Sequence, residues 1–542
     1  MEHVGSLLVA GQLQAPGFYL GSLQQSSVQI GNAAQAQSTY SVVIGDSAVG
    51  EYQRSIAIGY QARGKLGSLD YGSARIAIGA YAQAYNYGIA IGASAIAQTT
   101  SNAAASEQGL IAIGKGASAG SANPANTFSA IAIGTDAYAS NAYTVALGKS
   151  VRCNGSYSIA IGRVATIDGS PQPQYAIAIG DFARAGKDDA IAIGRQATAI
   201  GSGQAIAIGS QANAAGSGGV AIGYSTSINA AADVGIAIGV GAAVGSSGDY
   251  GTAIGYRANA NNQQAMALGR QASATGNASV SLGYAATASA TDAIAIGDSA
   301  SAVGLQGLAI GCGASSASST CGIVIGKFAS DTIGSIAIGA SARGKCLDGI
   351  AIGTHATTNN TGAAGADATH AIAIGTYASA EHRATVCIGW GAQVLPLSAS
   401  AVRSHYALVM GAQAYVDENS VGSIAIGQNA ATYAGGVGND TSASIAIGVS
   451  ARVDHPRAGA IGNDARSSAA DRISIGLCGG TASQIKALQV SGGFGMAGVN
   501  PTSQLAHIPN PSGVSIDNDA EARSAINSIL SALEAMGLLA TS

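Results

Sequence analysis

Ser55-Ile56-Ala57-Ile58-Gly59 sets two isoleucines around one alanine and closes with a glycine. Variants of this phrase, most often Ala-Ile-Ala-Ile-Gly as at residues 176–180 and 190–194, recur twenty-nine times between residues 27 and 476. The commonest distance between closing glycines is fourteen residues, as from Gly180 to Gly194. A self-similar period this short predicts an all-β solenoid with one coil per repeat. Strand alternation puts Ile56 and Ile58 on one face and Ala57 on the other. The bulky pair is assigned to the interior of the coil, with Ile56, Ile58, Ile177, Ile179, Ile191 and Ile193 as core residues. Gly59, Gly180 and Gly194 are assigned to a turn whose backbone angles Ile or Ala would not take. Two variable residues and an Ala follow the glycine, often with another small residue two further on, as in Ala183-Arg184-Ala185. That is a second short strand with a small inward face.

Two buried Ile side chains do not offset the ordering of fourteen backbones, so one coil alone does not fold and stacking must supply the balance. Strands about 4.8 Å apart make twenty-nine coils a rod roughly 140 Å long. The column between the two Ile positions holds Ala57, Ala160, Ala178 and Ala192 and is almost never charged. A solvent-facing strand would carry Thr, Lys, Glu or Arg there. This column faces away from the coil's own core and so looks buried by other chains, and three coils around a common axis would bury it. A homotrimer with Ala57, Ala160, Ala178 and Ala192 at the interface is therefore expected. Polar residues gather just after the glycine, as at Asp46, Tyr60, Arg195 and Arg270, and mark a wet edge.

Composition agrees with one elongated domain. Of 542 residues, 78 are Gly, 10% are charged and 5% aromatic, and the formal net charge is −4. No Lys/Arg cluster offers a footprint for nucleic acid or an anionic membrane. Apolar runs of about five residues fall well short of the roughly 20 that span a bilayer, so no membrane insertion is expected. The start Met1-Glu2-His3 lacks the basic and apolar segments of a secretory signal, which points to synthesis and assembly in a cytoplasm. Six cysteines without paired spacing read as free thiols. Cys387 stands in the middle of a repeat strand where Ala usually sits, and there it acts as a small apolar side chain.

Ser41-Val42-Val43-Ile44-Gly45 and Ser55-Ile56-Ala57-Ile58-Gly59 resemble the YadA-like head repeat of trimeric autotransporter adhesins, and the resemblance covers roughly residues 27–476. It implies a left-handed parallel β-roll, a homotrimer and a role in adhesion. Neither the long coiled-coil stalk nor the membrane-anchoring barrel segment of that family is found in the sequence. The C-terminal order is instead similar to the tails of bacteriophage fibre and virion structural proteins: Gly492-Gly493-Phe494-Gly495-Met496, Asn500-Pro501-Thr502, then Ala525-Ile526-Asn527 and a helix.

The expected organisation is an N-terminal attachment segment over 1–26, the β-roll over 27–478, an irregular linker over 479–515 and a C-terminal helix over 516–542. Asp517 or Asn518 caps that helix with Glu521 in its first turn. Ile526, Ile529, Leu533 and Met536 then step by three and four residues, the seam of a trimeric coiled coil.

Wherever the glycine spacing exceeds the period, extra residues emerge as loops, often on a binding face. Asn359, Asn360 and Asp367, between Gly353 and Gly375, and Trp390, in the long gap from Gly389 to Gly411, are the candidate receptor contacts; Trp390 suits stacking on a sugar ring. His355, His370, His382 and His405 lack metal-ligand spacing, and the carboxylates of Asp188-Asp189 and Asp417-Glu418 alternate across an extended chain. No nucleophile elbow, phosphate loop or zinc signature is found, so no enzyme, cofactor or metal is expected. The expected protein is a bacteriophage virion fibre or spike, either tail or capsid-decorating, whose partners are its own copies, other virion proteins and a host-surface glycan or protein. The alternative is the head of a bacterial trimeric autotransporter-type adhesin at the cell surface.

Overall fold

The computed structural model describes residues 27–476 apart from 52, 65–73, 86, 99–108, 121–128, 318–320, 333, 359–368, 395–404, 418–419, 434–440, 468–469 and 472, together with 527–531. Met1–Cys478 and Gly479–Ser542 are separate compact units. In the first, each coil contributes one long strand of three or four residues and one short strand of two. The long strands, from Val28–Ile30 to Ile473–Ile475, form a 29-stranded parallel sheet, and the short strands stack alongside as a second parallel ladder. Register places like on like. Ile177–Ile179 pairs with Ile191–Ile193, so that Ile177 meets Ile191, Ala178 meets Ala192 and Ile179 meets Ile193. Arg184–Ala185 likewise pairs with Thr198–Ala199. The fold is the parallel β-solenoid that the fourteen-residue period predicts.

The assignment of faces is corrected by burial. Ala57, Ala160, Ala178 and Ala192 are fully enclosed within a single chain and therefore cannot form the surface between chains. Ile56, Ile58, Ile177, Ile179, Ile191 and Ile193 lie on the outer side of the long-strand sheet and are only half-buried. The coil between residues 176 and 185 encloses four small side chains, Ala176, Ala178, Ala183 and Ala185. Two sheets lined mostly by alanine approach closely, and where an isoleucine does enter, as at Ile228, glycines such as Gly219 and Gly235 stand beside it and a Cβ on either would lie 3.1 Å from it. Large residues inside is the usual rule in a core about 10 Å thick; in this thin roll most inward positions are alanine, with a minority of branched residues such as Val43, Ile167 and Ile228, and the paired isoleucines of the long strands go out.

Cys387 follows the alanines inward and is fully buried, and desolvation pushes its thiol up to about 12. Where the residue before the long strand is Ser or Thr, its hydroxyl is enclosed and returns to a nearby carbonyl. Thr144 Oγ1 donates to the carbonyl of Asn141 at 2.8 Å, and Thr385 Oγ1 to that of His382 at 2.7 Å. Such pairing lets a polar group replace alanine without an unsatisfied partner.

Each closing glycine has a backbone reason. Gly59 has φ of 133°, outside the range of L side chains, and a Cβ there would lie 2.6 Å from the carbonyl carbon of Gly79 in the next coil. Successive glycines thus stack on one another at van der Waals distance. Two residues on, and again two residues before the long strand, the chain takes the left-handed conformation with ordinary residues such as Gln196 (φ 58°) and Asp189 (φ 55°).

In the second unit the described residues are one helical turn over 527–531, in which Ile529 is exposed. Ile526, Leu533 and Met536, assigned with it to a coiled-coil seam, lie outside the described residues, as do the attachment segment 1–26 and the candidate contacts Asn359, Asn360 and Asp367.

Candidate functional site

The two connections within a coil obey different rules. From closing glycine to short strand the distance never changes: Gly59 leads to Arg63–Gly64, Gly389 to Gln393–Val394 and Gly411 to Tyr415–Val416. Backbone hydrogen bonds tie each of these turns to its neighbours, as Gln61 N–H to the Asp46 carbonyl at 2.9 Å. All of the larger length variation falls in the other connection. It separates Arg63–Gly64 from Arg75–Ile78, Thr357–Thr358 from Ile372–Ile374, Gln393–Val394 from Leu408–Met410 and Ala431–Thr432 from Ile445–Ile447. The roll therefore has a constant edge and a variable edge.

Trp390 belongs to the constant edge. It is the residue directly after Gly389, whereas the extra residues of that repeat come in the chain only after the short strand Gln393–Val394. Assigning Trp390 to an insertion is thus corrected, although its exposure, 54%, stands. The four histidines are also divided. His355 is on the constant edge, stacked on Tyr377 with centroids 4.9 Å apart and planes 13° from parallel. His370 is in the variable connection, 3.5 Å from Asp348, and His382 meets His405 edge-on at 6.3 Å. Among the described residues no three metal-ligating side chains come together, and no helix is long and apolar enough to cross a membrane.

Aromatic residues use the one-coil step as a stacking distance. On the variable side Tyr143, Tyr157 and Tyr175 stack in succession with centroids 5.0 Å apart at each step. On the constant edge the Arg270 guanidinium lies 5.6 Å from the ring of Tyr256 and 5.3 Å from that of Tyr284, one coil to either side. Ion pairs such as Arg163 with Asp181 at 2.7 Å span neighbouring coils, but their exposure limits what they add to stability. Asp188 accepts a hydrogen bond from the Gln174 N–H at 2.8 Å, a turn-bracing role.

The thiols divide by burial. Desolvation raises Cys153 to about 12 and also raises Cys346, while Cys312 and Cys321 are exposed. Since the thiolate is the reactive form, a thiol-specific reagent at neutral pH is expected to modify Cys312 and Cys321 promptly in the native protein. Cys153, Cys346 and Cys387 should react only on unfolding, which peptide mapping of the labelled chain would read out.

The model of the YadA head domain repeat (2 copies) matches residues 128–150, 174–197, 204–226 and, in overlapping copies, 246–314. These stretches are similar to YadA head repeats, in keeping with the fourteen-residue coils. No curated protein matches the chain.

Proposed function

We propose that this chain is a homotrimeric, adhesin-like fibre whose half-exposed isoleucine columns are its subunit interface. The observation that carries the reading is the outer face of the long-strand sheet. Residues such as Ile133, Ile159 and Ile447 are 37–38% exposed on a chain whose own interior is filled by alanine. With 29 strands about 4.8 Å apart, this apolar strip runs roughly 140 Å. A strip about 10 Å wide then exceeds 1,000 Å², beyond the few hundred that monomers leave exposed. YadA-like adhesins are homotrimeric and bind host surfaces, which supports three copies rather than two.

The fibre is read as a bacteriophage virion component that meets the host surface, supported by the likeness of residues 492–542 to phage-fibre tails. The second reading, a bacterial trimeric adhesin head, is favoured by the repeat match itself. In either setting the roll is a structural and adhesive rod without catalytic chemistry. The test of assembly is the mass in solution under native conditions, expected at three times 52.5 kDa; a stable, folded 52.5 kDa species would overturn the reading.

A further inference from the structure

We propose that a ring-sized slot on the constant edge, between Tyr377 and Gln413 and beside Trp390, binds a pyranose ring of a carbohydrate. The second residue after each closing glycine forms a continuous ladder along this edge, and four successive coils place His355, Tyr377, Gly391 and Gln413 in it, with φ of 57°, 59°, 62° and 55°. Backbone hydrogen bonds fix their order: Tyr377 N–H to the Thr354 carbonyl at 2.9 Å, Gly391 N–H to that of Thr376 at 2.9 Å and Gln413 N–H to that of Trp390 at 2.7 Å. His355 covers one face of the Tyr377 ring. The opposite face looks toward the next coil, where the ladder residue is glycine and has no side chain.

That gap is open. A Cβ built on Gly391 meets only the Gln413 Cγ, at 3.7 Å. At Gly313, in the same ladder, the Phe328 ring already occupies the corresponding space. With one coil about 4.8 Å, Tyr377 and Gln413 are roughly 9.6 Å apart along the axis. One ring inserted midway would lie about 4.8 Å from each, inside the range in which flat groups stack. The histidine–tyrosine pair one step earlier shows that distance realised, at 4.9 Å.

The walls select the ring. Tyr377 is 56% exposed and offers a free aromatic face, and the exposed Trp390 indole rises from the same coil as the gap. The axial C–H groups on the flat side of a hexopyranose pack on such faces. Its hydroxyls need donors and acceptors, and the exposed amides of Gln413 and, one coil further, Asn429 supply both. A purely apolar ring would leave the amides unused. This site goes beyond the fibre reading, because the oligomeric state tests that reading separately.

The chain has a single Trp, so its fluorescence reports on this slot alone. The assembled, full-length protein is titrated with methyl β-D-glucopyranoside and methyl β-D-galactopyranoside, with nicotinamide as a planar aromatic comparison, and saturation transfer to the glycoside ring protons is recorded in parallel. The expected result is a saturable change in Trp390 emission with at least one glycoside, and saturation transfer to its axial C–H protons. Gly391→Gln fills the gap with a residue that the same ladder position carries at Gln196, Gln211 and Gln413, so the coil is expected to fold and assemble unchanged. It should weaken the glycoside response at least tenfold, and Tyr377→Ala should weaken it similarly. Absence of a saturable response to both glycosides, an equal response in Gly391→Gln, or a saturable response to nicotinamide alone would overturn the proposal.

Discussion

Ala192→Asp is expected to yield no correctly folded fibre. The Ala192 side chain is fully enclosed between the two strand ladders, with Ala178 and Ala207 above and below it in register. A carboxylate there loses its hydration and gains no cation, a cost of several kcal/mol per site, and the extra atoms must also be accommodated in a roll built for methyl groups. In the proposed trimer the lesion would be present three times. Ala192→Leu keeps the apolar character and tests the volume alone; it should cost roughly 1–3 kcal/mol per chain. Arg195→Asp, three residues away on the wet edge, should leave the melting temperature nearly unchanged, since surface substitutions usually fall within about 0.5 kcal/mol. Expression, melting temperature and the strand signature in circular dichroism distinguish the three. Normal assembly of Ala192→Asp would refute the interior assigned to the alanine column.

The second large effect is expected on the opposite face. Substituting Ile191 and Ile193 together by Asp leaves the coil's enclosed alanines untouched but places six carboxylates around one level of the proposed trimer. Each buried isoleucine contributes on the order of 1.5–3 kcal/mol, and an uncompensated charge at an apolar interface costs more than that loss. The variant should shift from three times 52.5 kDa towards smaller, aggregation-prone species in light scattering. Ile191→Val combined with Ile193→Leu, residues already present in those two columns at Val145 and Leu147, should assemble normally. Trimers of unaltered stability in the Asp pair would remove the isoleucine face from the interface.

Ala192 and Ile191 also show where sequence reasoning stops. Alternation states that the two lie on opposite faces, and the fourteen-residue period states that each repeats along a column; both follow from backbone geometry alone. Which column faces inward depends on the thickness of the roll, a property of two strands rather than one. The missing signal was nearby. Ala183-Arg184-Ala185 already reads as a second strand with a small inward face, and a sheet lined by methyl groups leaves little room for two isoleucines opposite in every coil. The residue before most long strands, such as Ala176, Ala190 or Thr144, points the same way: small, and in Thr144 bonded to a local carbonyl. Trp390 was misplaced for a related reason, because a long gap between glycines does not say which of the two connections has grown. Counting from glycine to the next short strand separates them, since that distance is constant.

The constancy of one edge separates two properties that a fibre must set independently, its reach and its decoration. Since every coil passes through the same glycine turn and advances by the same step, the number of repeats acts as a ruler. Duplicating or deleting one fourteen-residue unit changes the length by a fixed increment while leaving register and every other coil intact. Loops of any length on the variable edge leave that ruler unmarked, so such a rod can acquire new surface features without altering the distance it spans.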